Sequence, residues 1–156
     1  MSFLRVYIHF VWSTKHREPL LNSYELRSKV WMHMKENAAS KGVFIDTVNG
    51  YKDHCHALIA LGACQTPSLV MQLVKGESSY WINKEKLCKG RFEWQRKYYG
   101  ASVSDSSLDK VRQYIKNQED LHSRVSFDAE CDKLVDRFGF SRSKMMKVFP
   151  DVFSVS

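Results

Sequence analysis

The usual phosphate-binding loops are missing from this chain of 156 residues. It contains no GxxxxGK[ST] stretch and no GxGxxG, which removes the backbone cradles on which most nucleotide-driven enzymes are built. HExxH is missing too, and with it the signature of helix-borne zinc hydrolases. Cysteine is sparse and badly spaced for metal or disulfide work: Cys55, Cys64, Cys88 and Cys131 form no CxxC pair. A reducing cytoplasm is therefore the expected compartment. No apolar run reaches membrane-spanning length, because Arg5 and His9 interrupt the one at the start, "FLRVYIHFVWS", so no membrane partner is expected. With no internal repeat, linker or low-complexity tract, residues 1–156 are expected to form one domain. A chain of this size buries about two-thirds of its unfolded surface and needs no staples. Acidic residues are in deficit, 17 against 24 lysines and arginines, and the resulting +7 suits a polyanionic partner.

Much of that charge falls in "KEKLCKGRFEWQRKYYG", residues 84 to 100, where cations alternate with aromatic rings. Arg91, Arg96 and Lys97 could meet phosphates while Trp94 stacks on a base, the composition of a single-strand platform. The plainer reading is a solvated basic edge laid over core aromatics.

Hydrophobic periodicity orders the elements. Leu4, Val6, Ile8, Phe10 and Trp12 alternate with Arg5, Tyr7, His9 and Val11, a strand with one continuous apolar face. "NSYELRSKVWMHMKENAASKG" predicts a helix: Asn22 and Glu25 have capping-box spacing, Leu26, Val30, Met34 and Ala38 repeat every fourth residue, and Gly42 suits the stop. The strand "VFIDTV" follows. Asn49-Gly50 then signals a hairpin turn, with a loop that can extend through Asp53. Thr66-Pro67 opens a second helix that turns Val70, Leu73, Val74 and Trp81 to the core, with Gly76 as its weak point. A fourth strand is expected within 91 to 104. Strand, helix, strand, strand, helix, strand is the order of the split βαβ, an α+β ferredoxin-like sandwich with a four-stranded antiparallel sheet and both helices on one face. Two further helices are predicted: one capped by Ser106 and Asp109 and running through His122, the other from Ser126 to a stop at Gly139, burying Phe127, Cys131, Leu134, Val135 and Phe138.

The segment "VNGYKDHCHALIAL" carries the chemistry. His54 and His56 stand two apart on a strand and so point to one face, while Cys55, Ala57, Ile59 and Leu61 form the better core set on the other. Two readings follow: satisfied histidines at a strand edge, or half of a metal site. Tyr114 and Gln118 are four apart on the third helix and share a side of it. If that helix crosses the open sheet face, two imidazoles, an amide oxygen and a phenol meet in basic surroundings, an arrangement suited to phosphoryl transfer with a weakly held divalent cation. His9, His33 and His122 read as structural residues or as supports for the ligands.

"DHCHALIAL" followed by "YIKNQ" resembles the single-tyrosine HUH transposases of small bacterial insertion sequences and their domesticated relatives, the REP-associated tyrosine transposases. The likeness extends through "HFVWSTKHREPLL", "LVKGESSYWIN" and "FEWQRKYYGASVS", and so over roughly residues 5 to 138, while the tail after 139 matches nothing. The resemblance implies that His54, His56 and Gln118 hold Mg²⁺ or Mn²⁺ and that Tyr114 is the nucleophile. Cys55 takes the place of the usual aliphatic residue between the histidines. It implies cleavage and rejoining of single-stranded DNA, hairpin ends in particular, through a 5′-phosphotyrosine and a free 3′-hydroxyl, with no nucleotide cofactor. It also implies a homodimer whose active sites are shared between subunits. "GASVSDSS" before the tyrosine helix would serve as the crossover, and a free edge of the first strand as a pairing surface. Two other classes fit parts of the sequence. A non-catalytic nucleic-acid-binding sandwich explains charge and rings but not the coincidence of His54, His56, Tyr114 and Gln118. A zinc hydrolase explains two histidines but lacks a third strong ligand with a general base.

Overall fold

A computed structural model describes residues 3–138 and 141–150. Four strands, β1 (Val6–Ser13), β2 (Phe44–Gly50), β3 (His54–Leu61) and β4 (Tyr99–Val103), form one antiparallel sheet in the order β2-β3-β1-β4. Helices α1 (Tyr24–Ser40) and α2 (Pro67–Lys84) lie on one face. The sandwich is the ferredoxin-like α+β arrangement that the order of elements predicts.

Alternation along the strands builds the core beneath those helices. Phe10, Trp12, Cys55, Ala57 and Ile59 from the sheet meet Val30, Met34 and Ala38 of α1 and Val70, Met71 and Val74 of α2. Each large side chain fully buried there contributes about 1.5–3 kcal/mol. Leu4 precedes β1 and Val6 begins it, and both stay exposed although the alternation assigns them to the apolar face. The opposite face is covered as well. Helices α3 (Leu108–Lys116) and α5 (Phe127–Phe138), with the short α4 (Gln118–His122) between them and α6 (Arg142–Val148) behind, bury Leu58 with Val111 and Ile115, and Val11 with Phe127, Cys131 and Leu134. Met145 and Phe149, from the tail beyond residue 139, complete that second cluster.

Several local expectations are corrected. Ser23, not Asn22, caps α1, its hydroxyl accepting from the Leu26 amide at 3.1 Å. The capping box at Ser106 and Asp109 does not form: a 3-10 turn over Asp105–Ser107 leads into α3, and Asp109 accepts from Arg112 instead. The helix expected to run through His122 breaks at Asn117 (φ −89°, ψ 12°). Asn49-Gly50 is not the turn, because both residues still pair with β3 and the chain reverses over residues 51–53. Gly50 is needed for close approach, since a Cβ there would lie 2.2 Å from the His54 carbonyl oxygen. Finally, β1 sits inside the sheet between β3 and β4, so it offers no free edge to a second copy. The stop at Gly139 lies outside the described residues, as does the expected burial of the Phe138 side chain. Among the described residues no helix is long and apolar enough to cross a membrane.

Candidate active site

The alternation that sends Cys55 and Ala57 into the core turns His54 and His56 toward α3, α4 and α5, where both are fully buried. Each imidazole is held from behind. His54 Nδ1 lies 2.9 Å from Asp53 Oδ1, and His56 Nδ1 lies 2.9 Å from His9 Nε2 on β1. Gln118, at the start of α4, places its Oε1 3.0 Å from His54 Nε2. One helical turn on, His122 has its Nδ1 2.8 Å from the Val125 carbonyl oxygen. Tyr114 projects from α3 with its ring centroid 5.6 Å from that of His56. The four residues expected to act together are thus brought together, within one chain.

At their centre is a residue that the sequence did not single out. Glu130, on α5, is buried, and its Oε1 lies 3.2 Å from both His54 Nε2 and His56 Nε2 and 3.1 Å from His122 Nε2. Its Oε2 accepts from the Gln118 amide at 2.7 Å and from the Tyr114 hydroxyl. Nothing in the sequence marked Glu130, since α5 carries three other acidic residues and no motif. His122 carried one usable signal, its i, i+4 spacing from Gln118.

Burying this much polarity is tolerable only because every member has partners. Burial alone would lower the His54 imidazole, but hydrogen bonds and charge from Asp53 and Glu130 override it and raise its pKa to about 9. Burial favours the neutral acid of Glu130, yet His56, His122 and His54 together hold it well below the usual carboxylate range. Burial dominates at His56, which is lowered in spite of Glu130, and at His9, which is pushed down further by His56. The Tyr114 phenol is raised by burial first and then by the negative charge and acceptor oxygen of Glu130. It therefore rests as a neutral hydrogen-bond donor.

A buried arginine fixes α4, which supplies Gln118 and His122. Arg27 of α1 donates to both Glu119 carboxylate oxygens, at 2.7 and 2.8 Å, and to the Leu21 carbonyl oxygen at 2.7 Å. Its guanidinium lies 4.7 Å from the centroid of the Tyr51 ring, and that ring stacks on His122 at 5.3 Å. Helix α3 is tied to β2 by Arg112, which grips Asp46 at 2.9 and 3.0 Å, and by Asn49, which donates to the Lys116 carbonyl oxygen at 3.1 Å. An opening of about 350 Å³ lined by Tyr114, Glu130, Asp120 and the cations Lys110, Arg124 and Lys133 gives access to the tyrosine, with Arg124 paired to Asp120.

The basic stretch divides. Trp94 is buried, not presented to solvent: its indole N–H donates to Ser78 Oγ at 2.8 Å and its ring meets Phe92 and Trp12 edge-on. The apolar interior under α2 claims that ring, so Trp94 is corrected from stacking platform to core residue. Arg91, Arg96 and Lys97 are exposed. Arg91 and Arg96 line a groove of about 1000 Å³ with Lys75, Tyr80 and Tyr98, on the α2 side of the sheet and away from the histidines. Lys97 instead reaches the Lys147 carbonyl oxygen at 3.3 Å.

Sequence and fold together define a class, the transposases of insertion sequences. The chain belongs to the IS200-like transposase family, whose model matches residues 2–118. It is 27% identical over 118 residues to the ISDra2 transposase TnpA of Deinococcus radiodurans, an alignment covering 72% of this chain and 83% of that protein. Its fold is similar to that of a transposase from Deinococcus radiodurans R1 (TM-score 0.60, 21% identity, 75% of this chain and 93% of that one). It is also similar to a REP-associated tyrosine transposase bound to a REP hairpin (TM-score 0.59, 13% identity, 100% of this chain and 90% of that one). The matched family segment ends at Gln118, so His122 and Glu130 lie beyond it. The cluster of His54, His122 and Glu130, whose ligand atoms all lie within 4.8 Å of one another, is compatible with a divalent metal.

Proposed function

We propose that this protein cleaves and rejoins single-stranded DNA by transesterification at Tyr114. The observation that carries the reading is the convergence of a tyrosine hydroxyl, two strand-borne imidazoles and an amide beside a cation-lined opening. The Tyr114 oxygen attacks a backbone phosphorus and loses its proton; the bond from phosphorus to the 3′-oxygen breaks and that oxygen leaves as a 3′-hydroxyl. The downstream strand stays joined to Tyr114 through its 5′-phosphate, so the bond energy is kept and attack by a 3′-hydroxyl reverses the step without a nucleotide cofactor. Mg²⁺ or Mn²⁺ held by His54, His56 and Gln118 would supply charge neutralisation at the scissile phosphate. The nitrogen-and-oxygen donor set fits such an ion.

The test is a denaturing gel of wild-type protein incubated with Mn²⁺ and end-labelled single-stranded or hairpin oligonucleotides. A label on the 3′ side of the cut should migrate with the protein and a label on the 5′ side should be released. DNA that binds yet never yields an adduct would support the second reading, a non-catalytic nucleic-acid-binding protein. The same chemistry serves a mobile insertion sequence or a domesticated processor of palindromic repeats, working in the cytoplasm.

For the DNA itself, the groove of Arg91 and Arg96, with Lys97 beside it, suits phosphates of a hairpin. Binding should favour single strands or hairpins over a blunt duplex and weaken steeply with salt. On single strands each phosphate-contacting cation removed should reduce the log–log salt slope by about 0.7. An unchanged slope in an Arg91→Ala, Arg96→Ala, Lys97→Ala triple variant would move the binding face elsewhere.

The shared-site homodimer is a separate matter. The ties from α3 to β2 through Arg112 and Asn49 favour a site completed within one chain. Mixing Tyr114→Phe with His56→Ala under subunit exchange decides it. Heterodimers that regain cleavage would establish sharing, and demonstrated heterodimers without cleavage are the expected result.

A further inference from the structure

We propose that His122 and Glu130, both beyond the family-matched segment, are ligands of the divalent cation in this chain, joining His54 and His56. The inference rests on the metal-assisted reading above and adds two donors to it.

Three imidazoles aim the same nitrogen at one point. His54, His56 and His122 each engage an outer partner through Nδ1, namely Asp53 Oδ1, His9 Nε2 and the Val125 carbonyl oxygen, at 2.9, 2.9 and 2.8 Å. Asp53 and the carbonyl are pure acceptors, so His54 and His122 donate their Nδ1–H to them, and His9 can accept likewise. Each ring then turns its Nε2 to the interior, where a bound cation would take the place of the proton that the nitrogen otherwise shares with Glu130. All three Nε2 atoms lie 3.1 to 3.2 Å from Glu130 Oε1. An acceptor or carboxylate behind a histidine, fixing its tautomer and orientation, is the support that metal-binding imidazoles carry. Three such rings, two from a strand and one from a helix, on one buried carboxylate oxygen of a further helix exceed what folding requires of that face, where apolar side chains would pack at no desolvation cost.

Glu130 also spans two parts of the site. While Oε1 faces the imidazoles, Oε2 accepts from Tyr114 and Gln118. A carboxylate bound this way links the cation to the nucleophile and sets the distance between them. With Gln118 the set is three imidazoles, an amide oxygen and a carboxylate, and that share of nitrogen favours Mn²⁺ over Mg²⁺, which prefers oxygen donors and retained waters.

The test is binding, not activity. Metal-depleted wild-type protein is titrated with Mn²⁺, free ion being read from its electron paramagnetic resonance signal, alongside Glu130→Gln, His122→Asn and, as a control on the α1–α2 side, Glu77→Gln. Circular dichroism and thermal melts check the fold. Both site variants should bind Mn²⁺ at least about tenfold more weakly, and the control should match wild type. Wild-type affinity in folded Glu130→Gln or His122→Asn overturns the assignment. Should those variants not fold, electron spin-echo spectra of Mn²⁺ on the wild type count the coupled imidazoles: three are expected, and two would remove His122. Adduct formation is scored separately. Wild-type protein that forms adduct while Glu130→Gln keeps full Mn²⁺ affinity sinks this inference alone, whereas tight Mn²⁺ binding without any adduct sinks the proposed function and leaves the ligand assignment standing.

Discussion

Tyr114→Phe is expected to abolish covalent capture of single-stranded DNA, a loss on the order of 10³-fold or more, since removing a nucleophile leaves only the environment's residual catalysis. The substitution deletes one oxygen, the atom that donates to Glu130 Oε2. The ring remains against His56 and His9. Gln118 still donates to the same carboxylate oxygen, so Glu130 is not left without a partner. Stability should therefore fall by only about 1 kcal/mol, the net worth of one hydrogen bond, and DNA binding should persist. The measurement pairs a denaturing gel for the adduct with a mobility shift for binding. A protein–DNA adduct still formed by Tyr114→Phe would show that another residue is the nucleophile.

His54→Ala and His56→Ala should each remove cleavage that depends on Mg²⁺ or Mn²⁺. Losing one positioned imidazole costs a metal site more than the 10–100-fold typical of losing an outer support. Here the loss extends further. Each histidine faces Glu130, and His54 also holds Asp53, so its removal leaves a buried carboxylate with one cation fewer. Breaking a buried charge pair costs about 3–5 kcal/mol when the partner stays behind. His54→Ala should thus be the less stable variant as well as inactive. Melting curves recorded with and without Mn²⁺ separate the two effects, because wild type should gain stability from the ion and neither variant should. Undiminished metal-dependent cleavage by either variant would mean that the histidine pair is structural.

The histidine strand was legible because period-two alternation depends on nothing but the chain: once Cys55, Ala57 and Ile59 belong to the core, His54 and His56 must face the other way. The same holds for Tyr114 and Gln118, whose spacing puts them on one side of a helical path even though that path breaks at Asn117. The order of elements was enough for the sandwich, since short connections leave few ways to pair four strands and two helices. Turn and cap details were less secure. Asn49-Gly50 carries a turn signal, but pairing with β3 extends β2 past it.

Other features depended on partners remote in sequence. Trp94 sits among exposed cations, yet Ser78 and Trp12 draw its ring inside, because a large indole gains more from the apolar interior than from solvent. The edge of β1 vanished when β4 paired with it. Glu130 is one carboxylate among many on paper. Only the docking of α5 across the sheet brings it to three imidazoles, an amide and a phenol, and a site assembled from β3, α3, α4 and α5 has no local period to announce it. The sequence by itself determined which face of β3 is polar and which residue is the nucleophile candidate. Tertiary packing alone decided which carboxylate closes the site, since that pairing is paid for by long-range burial that no short stretch encodes.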